Sequence, residues 1–167
     1  MITGKKIFIT GGAGFIANEI ISRVVDRNKI VVYDNFHRDT FSKSKYVDHK
    51  NIFVIRGDVL DYKKLNKSMK GADIVVHAAG IAGIDTVITK PTKTMMVNMV
   101  GTANALQAAI ENNITSRFVD FSTSEVFGSM AFKSTEKDAT VSGSVGEARW
   151  TYAVSKLAGE HLSHAFH

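Results

Sequence analysis

The stretch that decides the fold is Thr10-Gly11-Gly12-Ala13-Gly14-Phe15-Ile16-Ala17. It directly follows Lys6–Thr10, a short apolar run typical of a buried strand, and it opens a segment with helical spacing. Gly11 permits a tight turn, Gly14 lets the backbone approach a pyrophosphate, and the small Ala17 allows the helix to pack closely on the strand. A strand, a glycine turn and a helix in this order predict a dinucleotide site, with phosphates held by free amides at the helix N-terminus.

Asp34 lies at the end of a second apolar run, Lys29–Asp34, at the spacing of about 20 residues that is usual for the acidic residue of dinucleotide sites. A carboxylate at this position accepts the hydroxyls of the adenosine ribose and repels a 2′-phosphate. The sequence therefore favours NAD over NADP, although His37 and Arg38 nearby argue in the other direction. Asp58-Val59 follows a third apolar run and is expected to meet the adenine ring.

Short apolar runs alternate with helical segments along the chain. Three further runs predict strands, over residues 52–58, 72–77 and 117–122. Asp61 is expected to cap the helix after the third strand, and Pro91 to begin a long helix that ends near Asn112. The stretch 133–146 is rich in Ser, Thr, Gly and charged residues and predicts a loop, and helical spacing returns over 150–167.

Near-continuous apolar strands separated by helices are typical of a parallel sheet that is covered on both faces. With right-handed crossovers they predict an α/β fold, a Rossmann-type doubly wound parallel sheet in three layers, α/β/α. The chain has 167 residues, of which 44% are hydrophobic and 22% charged. We therefore expect residues 1–167 to form one NAD-binding domain.

The composition excludes several classes of protein. Without cysteine there is no disulfide framework, no thiolate zinc site and no cysteine nucleophile. The start of the chain lacks an apolar stretch long enough for a signal peptide, and the longest mostly apolar stretch, 74–84, is interrupted by His77 and two glycines. We expect a soluble, cytoplasmic protein without membrane contact. The net charge of +5 comes from scattered basic residues, which fits a phosphate-bearing ligand and argues against nucleic acid.

Tyr152 and Lys156 are one helical turn apart and share a face of the last predicted helix. A nearby ammonium stabilises a phenolate, so we expect the pKa of Tyr152 to be lowered. Such a tyrosine can exchange a proton with a substrate hydroxyl while hydride moves to or from a nicotinamide. Thr123-Ser124 leaves the fifth strand and can hydrogen-bond a reacting hydroxyl. Glu125 is either a second acid or base or a loop carboxylate that caps backbone amides.

The histidines His161, His164 and His167 recur every three residues near Glu160. The third histidine drifts off the shared helical face and no cluster of acidic partners is visible, so we expect no metal site.

These motifs together resemble the extended short-chain dehydrogenase/reductase superfamily, in its NAD-dependent epimerase/dehydratase branch that acts on nucleotide sugars. The matching pieces follow the family order over nearly the whole chain: Thr10 to Ile16, Asp34-Asn35, Gly57-Asp58-Val59, His77-Ala78-Ala79, Asn98 with Gly101-Thr102, Ser122 to Gly128, and Tyr152 with Lys156. Ala17 departs from the pattern, since a third glycine is common there. The family pattern also continues into a carboxyl-terminal substrate domain, which is absent from this sequence.

The resemblance implies a role for each matching residue. Tyr152 would be the acid/base, Lys156 would tune it and bind the nicotinamide ribose, and Thr123 would orient the sugar hydroxyl, with Ser124 and Glu125 completing the catalytic set. The NAD-binding residues would be Gly11, Gly14, Phe15, Ile16, Asp34, Asn35, Asp58, Val59, Ala78, Ala79, Gly80, Asn98, Tyr152 and Lys156.

The resemblance also narrows the reaction, in which NAD oxidises a sugar carbon to a ketone and later returns the hydride. Ser124 stands where sugar 4,6-dehydratases usually carry aspartate, which disfavours dehydration. Thr123-Ser124-Glu125 with Arg149-Trp150 is similar to UDP-glucuronate decarboxylases and to 4-epimerases of UDP-sugars and UDP-uronates. We expect a 4-epimerase of a UDP-linked sugar, assembled as a homodimer. A UDP-glucuronate decarboxylase or a sugar 4,6-dehydratase is the alternative reaction, and a non-catalytic dinucleotide-binding module is the alternative of another class.

Overall fold

A computed structural model describes residues 2–167, and its centre is a sheet of five parallel strands in the order β3-β2-β1-β4-β5. The strands are Lys6–Thr10 (β1), Lys29–Asp34 (β2), Ile52–Arg56 (β3), Ile74–His77 (β4) and Arg117–Asp120 (β5). Chain direction and strand order confirm the Rossmann-type doubly wound sheet. The first two strands have the predicted bounds, whereas the last three are shorter than predicted because Gly57-Asp58, Ala72-Asp73 and Phe121-Ser122 lie outside the paired ladder.

Helices cover both faces of the sheet and complete the three layers. They are Phe15–Val24 (α1), Tyr62–Met69 (α2), Ile84–Thr89 (α3), Pro91–Met95 (α4), Gly101–Glu111 (α5) and Ala148–Ala165 (α6). A π-helical turn, Met96–Val100, joins α4 to α5, so the long helix predicted after Pro91 forms with one irregular turn. The sequence did not predict α3. Among residues 2–167, no helix is both long and apolar enough to span a bilayer.

Two apolar cores hold the layers together, one on each face of the sheet. Alternate residues of a strand point to opposite faces, so Ile7 and Ile9 pack with Ile21 of α1, whereas Phe8 packs with Leu65 of α2 on the other side. All five of these side chains are at most 2% exposed. Burial on both faces is the reason why the strands read as continuous apolar runs.

The cap of α2 and the loop over residues 133–146 have the positions that the sequence predicts. The Asp61 carboxylate accepts a hydrogen bond of 3.1 Å from the Lys64 amide and so caps α2 as predicted. The predicted loop, 133–146, contains neither helix nor strand. It is held back onto the domain where the Val141 amide donates to the Val126 carbonyl at 2.9 Å.

The strand order reverses between β1 and β4, which are neighbours in the sheet but distant in the chain. Thr10 and His77 end these strands and are partners in register. The turns that follow them therefore leave the sheet side by side at its carboxyl edge, where doubly wound folds bind their ligands.

Candidate cofactor cleft and active site

A cleft of about 430 Å³ opens at this edge of the sheet. Most of the predicted cofactor residues line it: Gly11, Gly14, Phe15, Ile16, Asp34, Asn35, Asp58, Val59, Ala78, Ala79 and Gly80. Three predicted residues, Asn98, Tyr152 and Lys156, do not line this cleft. Asn98 and Lys156 lie next to Gly80 in its wall. The sequence analysis missed Tyr33, Thr40, Gly57, Ala82 and Val97, which also line the cleft.

The glycine turn has the geometry that the motif predicts. Gly11 has a φ of +64°, and a Cβ on it would lie 2.5 Å from the Ala79 nitrogen, so only glycine fits between the two turns. The Gly14 amide donates to the Gly11 carbonyl at 2.9 Å. Helix α1 begins at Phe15 with no side-chain cap and no acidic residue in its first turn. Its first amides therefore point into the cleft without a side-chain partner, and a pyrophosphate fits there.

Asp34 shapes the adenosine end of the cleft. Its two carboxylate oxygens accept hydrogen bonds from the amides of Ala13, at 3.0 Å, and Phe36, at 2.7 Å. Burial raises the pKa of this carboxyl, and the amides act in the opposite direction. On the other wall, the Asp58 carboxylate accepts from the Leu60 amide at 2.9 Å and from the Asn35 side chain at 3.4 Å. Two carboxylates on the two walls suit a neutral ribose better than a phosphate.

Tyr33 and Gly57 form a pair that the sequence motif alone did not reveal. The Tyr33 hydroxyl donates to the Asp58 carbonyl at 2.9 Å, and a Cβ on Gly57 would lie 2.3 Å from the Tyr33 ring. The pair fixes the turn that carries Asp58. The sequence signal for this pair is the strand register, because Tyr33 lies near the end of β2 and Gly57 directly follows β3, its neighbour in the sheet.

Arg38 crosses the mouth of the cleft. Its Nη1 donates to the Ala82 carbonyl at 3.0 Å, and the guanidinium lies beside Gly83, where a Cβ would come within 3.0 Å of Nη2. This contact joins the turn after β2 to the turn after β4. The Arg38 guanidinium, which is the group that could bind a 2′-phosphate, thus donates to the Ala82 carbonyl.

Lys156 lies behind the cleft wall, next to Gly80. It is 7% exposed, and a Cβ on Gly80 would lie 3.9 Å from its Nζ. Asn98 is also buried, and its side chain bonds the Ile81 amide at 2.7 Å and the Ser155 hydroxyl at 3.1 Å. Asn98 therefore ties the turn after β4 to α6 and fixes the position of Lys156 relative to the cleft.

The environment of Tyr152 contradicts one prediction. Burial raises the pKa of its phenol, the negative charge of Glu125 raises it further, and a hydrogen bond with the Thr123 hydroxyl lowers it. The expected lowering by Lys156 is therefore wrong for the protein on its own, because desolvation and the charge of Glu125 raise the pKa and Lys156 is not among the groups that shift it. The structure does bring Tyr152, Thr123 and Glu125 together.

Ser124 and Glu125 begin a short 3₁₀ turn, Ser124–Phe127, directly after the fifth strand. The Thr123 hydroxyl accepts from the Glu125 amide at 3.3 Å and caps this turn. Both Ser124 and Glu125 are exposed. Within residues 2–167 no backbone amide donates to the Glu125 carboxylate, so this carboxylate does not act as a cap in the structure. In the same part of the chain no group of three or more His, Asp or Glu side chains is arranged to hold a metal ion.

Comparison with known proteins extends these observations. The model of the NAD dependent epimerase/dehydratase family matches residues 7–167. A UDP-N-acetyl-alpha-D-glucosaminuronate decarboxylase from Bacillus cytotoxicus is 34% identical over 161 residues, which are 95% of this chain and 49% of that protein. The chain thus spans about half the length of the curated relatives it matches.

Solved structures agree with this comparison. A UDP-N-acetylglucosamine 4-epimerase from Methanobrevibacter ruminantium M1, in complex with UDP-N-acetylmuramic acid, superposes with a TM-score of 0.88 at 26% identity and covers 99% of this chain and 51% of its own. The Bordetella bronchiseptica enzyme WbmH, in complex with NAD⁺, superposes with a TM-score of 0.82 at 30% identity and covers 97% and 52%.

Proposed function

The chain belongs to the NAD-dependent epimerase/dehydratase family, with NAD as its cofactor, and from this premise we propose that it is the cofactor-binding part of a nucleotide-sugar 4-epimerase. The proposed substrate is a UDP-linked hexose or uronate. The similar proteins act on or bind UDP-sugars, and the proposal extends that substrate class to this chain. The expected assembly is a homodimer, which light scattering of the purified protein tests.

The observation that carries the proposal is the grouping around Tyr152. The phenol has the Thr123 hydroxyl as a hydrogen-bond partner and Glu125 close enough to act on it, and it is one helical turn from the buried Lys156. These groups surround a titratable phenol on the helix that carries Lys156 to the cleft wall. A protein that only binds a dinucleotide does not need them.

The chemistry divides between the cofactor and the side chains. Bound NAD would supply a reversible acceptor for the hydride of sugar C4. Tyr152 takes the proton of the O4 hydroxyl as the C4–H bond breaks, so the sugar becomes a 4-ketone. Thr123 orients that hydroxyl toward the phenol. After the sugar presents its other face, Tyr152 gives the proton back to O4 and the inverted alcohol forms.

Lys156 supplies positive charge near this proton transfer. A phenol must lose its proton to act as a base, and the raised pKa of Tyr152 keeps it neutral in the protein on its own. The ammonium and the cationic nicotinamide both stabilise the phenolate. The proposal therefore requires that the pKa of Tyr152 falls when NAD⁺ binds.

A second candidate reaction is decarboxylation of a UDP-uronate. The 34% identity to a uronate decarboxylase over 95% of the chain favours it. It begins with the same oxidation at C4, because a ketone beside the carboxylate-bearing carbon is what allows carbon dioxide to leave. The two reactions differ only after the ketone has formed.

The test is incubation of the natural protein that carries this chain with NAD and either UDP-glucose or UDP-glucuronate, followed by proton NMR. We expect UDP-galactose or UDP-galacturonate to appear with the wild type and not with Tyr152→Phe. Tyr46→Phe, which loses a phenol far from the site, is the matched control. A UDP-pentose formed from UDP-glucuronate would establish decarboxylation instead. Unchanged sugars with every substrate would contradict both reactions.

A further inference from the structure

Three polar side chains form a row across the sheet beneath α6. Thr10 of β1 is the register partner of His77 of β4, and His77 is the register partner of Asp120 of β5. Partners in a parallel sheet point to the same face, so the three side chains lie side by side. Helix α6 covers the end of the row, since a Cβ on Gly159 would lie 3.0 Å from the Asp120 Oδ2.

Hydrogen bonds order one end of this row. The Thr10 hydroxyl accepts from the Ala79 amide at 3.2 Å and lies 2.7 Å from Nδ1 of His77. Both Thr10 and His77 are completely buried. The Thr10 hydroxyl and Nδ1 of His77 share one hydrogen bond, whose direction follows the tautomer of the imidazole. Burial holds the pKa of His77 at about 3, so the ring is neutral.

The other end of the row contains unsatisfied polar atoms. Nε2 of His77 and Oδ1 of Asp120 are both buried, and neither has a hydrogen-bond partner among the described residues. A buried carboxylate oxygen without a partner is costly, and an apolar side chain would be cheaper at a sheet–helix contact. The presence of Asp120 therefore needs a compensating interaction.

Lys156 is the buried cation whose charge acts on Asp120, although no hydrogen bond or ion pair joins these two described side chains. Burial lowers the pKa of its ammonium, and the carboxylates of Asp120 and Glu160 raise it again. In the same way, burial raises the pKa of Asp120, and Lys156 lowers it. Glu160, one turn after Lys156 on α6, is bonded to the Ser122 hydroxyl. From the neighbouring strands, Lys156 thus faces the charge of Asp120 and the neutral ring of His77.

We propose that Asp120 is a positioning residue for Lys156. The carboxylate of Asp120 attracts the lysine ammonium and keeps it directed toward the NAD cleft. The row of Thr10, His77 and Asp120 fixes the position of that carboxylate. The row has one end at the Ala79 amide, in the cleft wall, and the other under α6. Asp120 thus couples the position of the Lys156 ammonium to the position of the cofactor. This inference rests on the proposed function only for the role of Lys156 as a ribose ligand.

The test is the substitution Asp120→Asn, which removes the charge and keeps the shape. In protein labelled with ¹³C-lysine, the titration of the Lys156 Cε resonance is expected to move to lower pH. NAD affinity is expected to fall on the order of tenfold, because the Lys156 ammonium loses the carboxylate charge that acts on it. Asp48→Asn makes the same charge change at an exposed position and should alter neither readout.

A reciprocal measurement covers the case in which Asp120→Asn does not fold. Coupling between two charges must act in both directions, so Lys156→Met should move the titration of the Asp120 carboxyl carbon to higher pH. The proposal is wrong if Lys156 titrates identically in Asp120→Asn and Asp48→Asn. It is also wrong if the titration of the Asp120 carboxyl carbon is unchanged in Lys156→Met. Neither measurement uses a sugar substrate, so its outcome is independent of whether the protein is an epimerase.

Discussion

The carboxylate of Asp34 joins the end of β2 to the glycine turn, because its Oδ2 accepts a hydrogen bond of 3.0 Å from the amide of Ala13. Its Oδ1 accepts from the amide of Phe36 at 2.7 Å, in the turn after β2. One side chain therefore shapes both turns that face the adenosine end of the cleft. It also places a negative charge where a 2′-phosphate would have to lie.

Asp34 should decide the choice between NAD and NADP. The wild-type chain is expected to bind NAD more tightly than NADP in calorimetry, and Asp34→Asn to narrow the preference about tenfold, since the repelling charge is lost. Asp48→Asn, an exposed change of the same charge, should preserve the preference. Equal affinity of the wild type for both cofactors would contradict this role.

Gly11 should be needed for its contact as well as for its backbone conformation. Gly4 has a φ of +68°, close to the +64° of Gly11, but a Cβ on Gly4 would meet nothing within 4 Å. Gly4→Ala therefore measures the conformational cost alone, about 1–2 kcal/mol. Gly11→Ala should cost more than about 3 kcal/mol and weaken NAD binding, because its Cβ displaces the Ala78–Ala79 backbone. Urea unfolding compares the two, and equal losses would refute the contact.

His77 should make the protein sensitive to acid. The unfolded chain binds a proton at this imidazole below a pKa of 6.5, whereas the folded protein binds it only below about 3. Between these values the unfolded state holds more protons, so the free energy of unfolding falls as the pH falls. From pH 7 to pH 5 this group should remove roughly 2 kcal/mol. Urea unfolding of cofactor-free protein measures the loss.

The variant His77→Asn should lose this part of the pH dependence, because asparagine does not titrate. His37→Asn removes an exposed histidine and should behave as the wild type. If the free energy of unfolding depends on pH in the same way in the wild type and in His77→Asn, the acid sensitivity arises from other groups.

Glu125 should control the ionisation of Tyr152. Its negative charge raises the pKa of the phenol, so Glu125→Gln is expected to lower that pKa. The titration is followed by NMR of ¹³Cζ-labelled tyrosine without NAD. Glu136→Gln, in the exposed loop, is the matched control, and a shift of equal size in both variants would assign the effect to net charge rather than to proximity.

Much of the cofactor site was predictable because its signals are local. The turn at Gly11, the placement of Asp34 at the end of β2 and the cap at Asp61 follow from the chemistry of neighbouring residues, and the structure has them where the sequence predicts them. The short helix Ile84–Thr89 escaped prediction because it is only six residues long and has no side-chain cap. The contact of Tyr33 with Gly57 was not predicted because the two residues are distant in sequence and meet only when β2 and β3 pair.

The sequence by itself determined the alternation of strands and helices, the glycine turn and the acidic residue that follows it, since each depends on spacing within a few turns of chain. Only the tertiary structure decided the ionisation of the active-site groups. Tyr152 has a raised pKa and not a lowered one, and the charge of Asp120 acts on the pKa of Lys156 although the two residues are far apart in sequence. The physical reason is that burial and Coulomb interactions act through space, and a linear pattern does not record which distant side chains the folded sheet brings together.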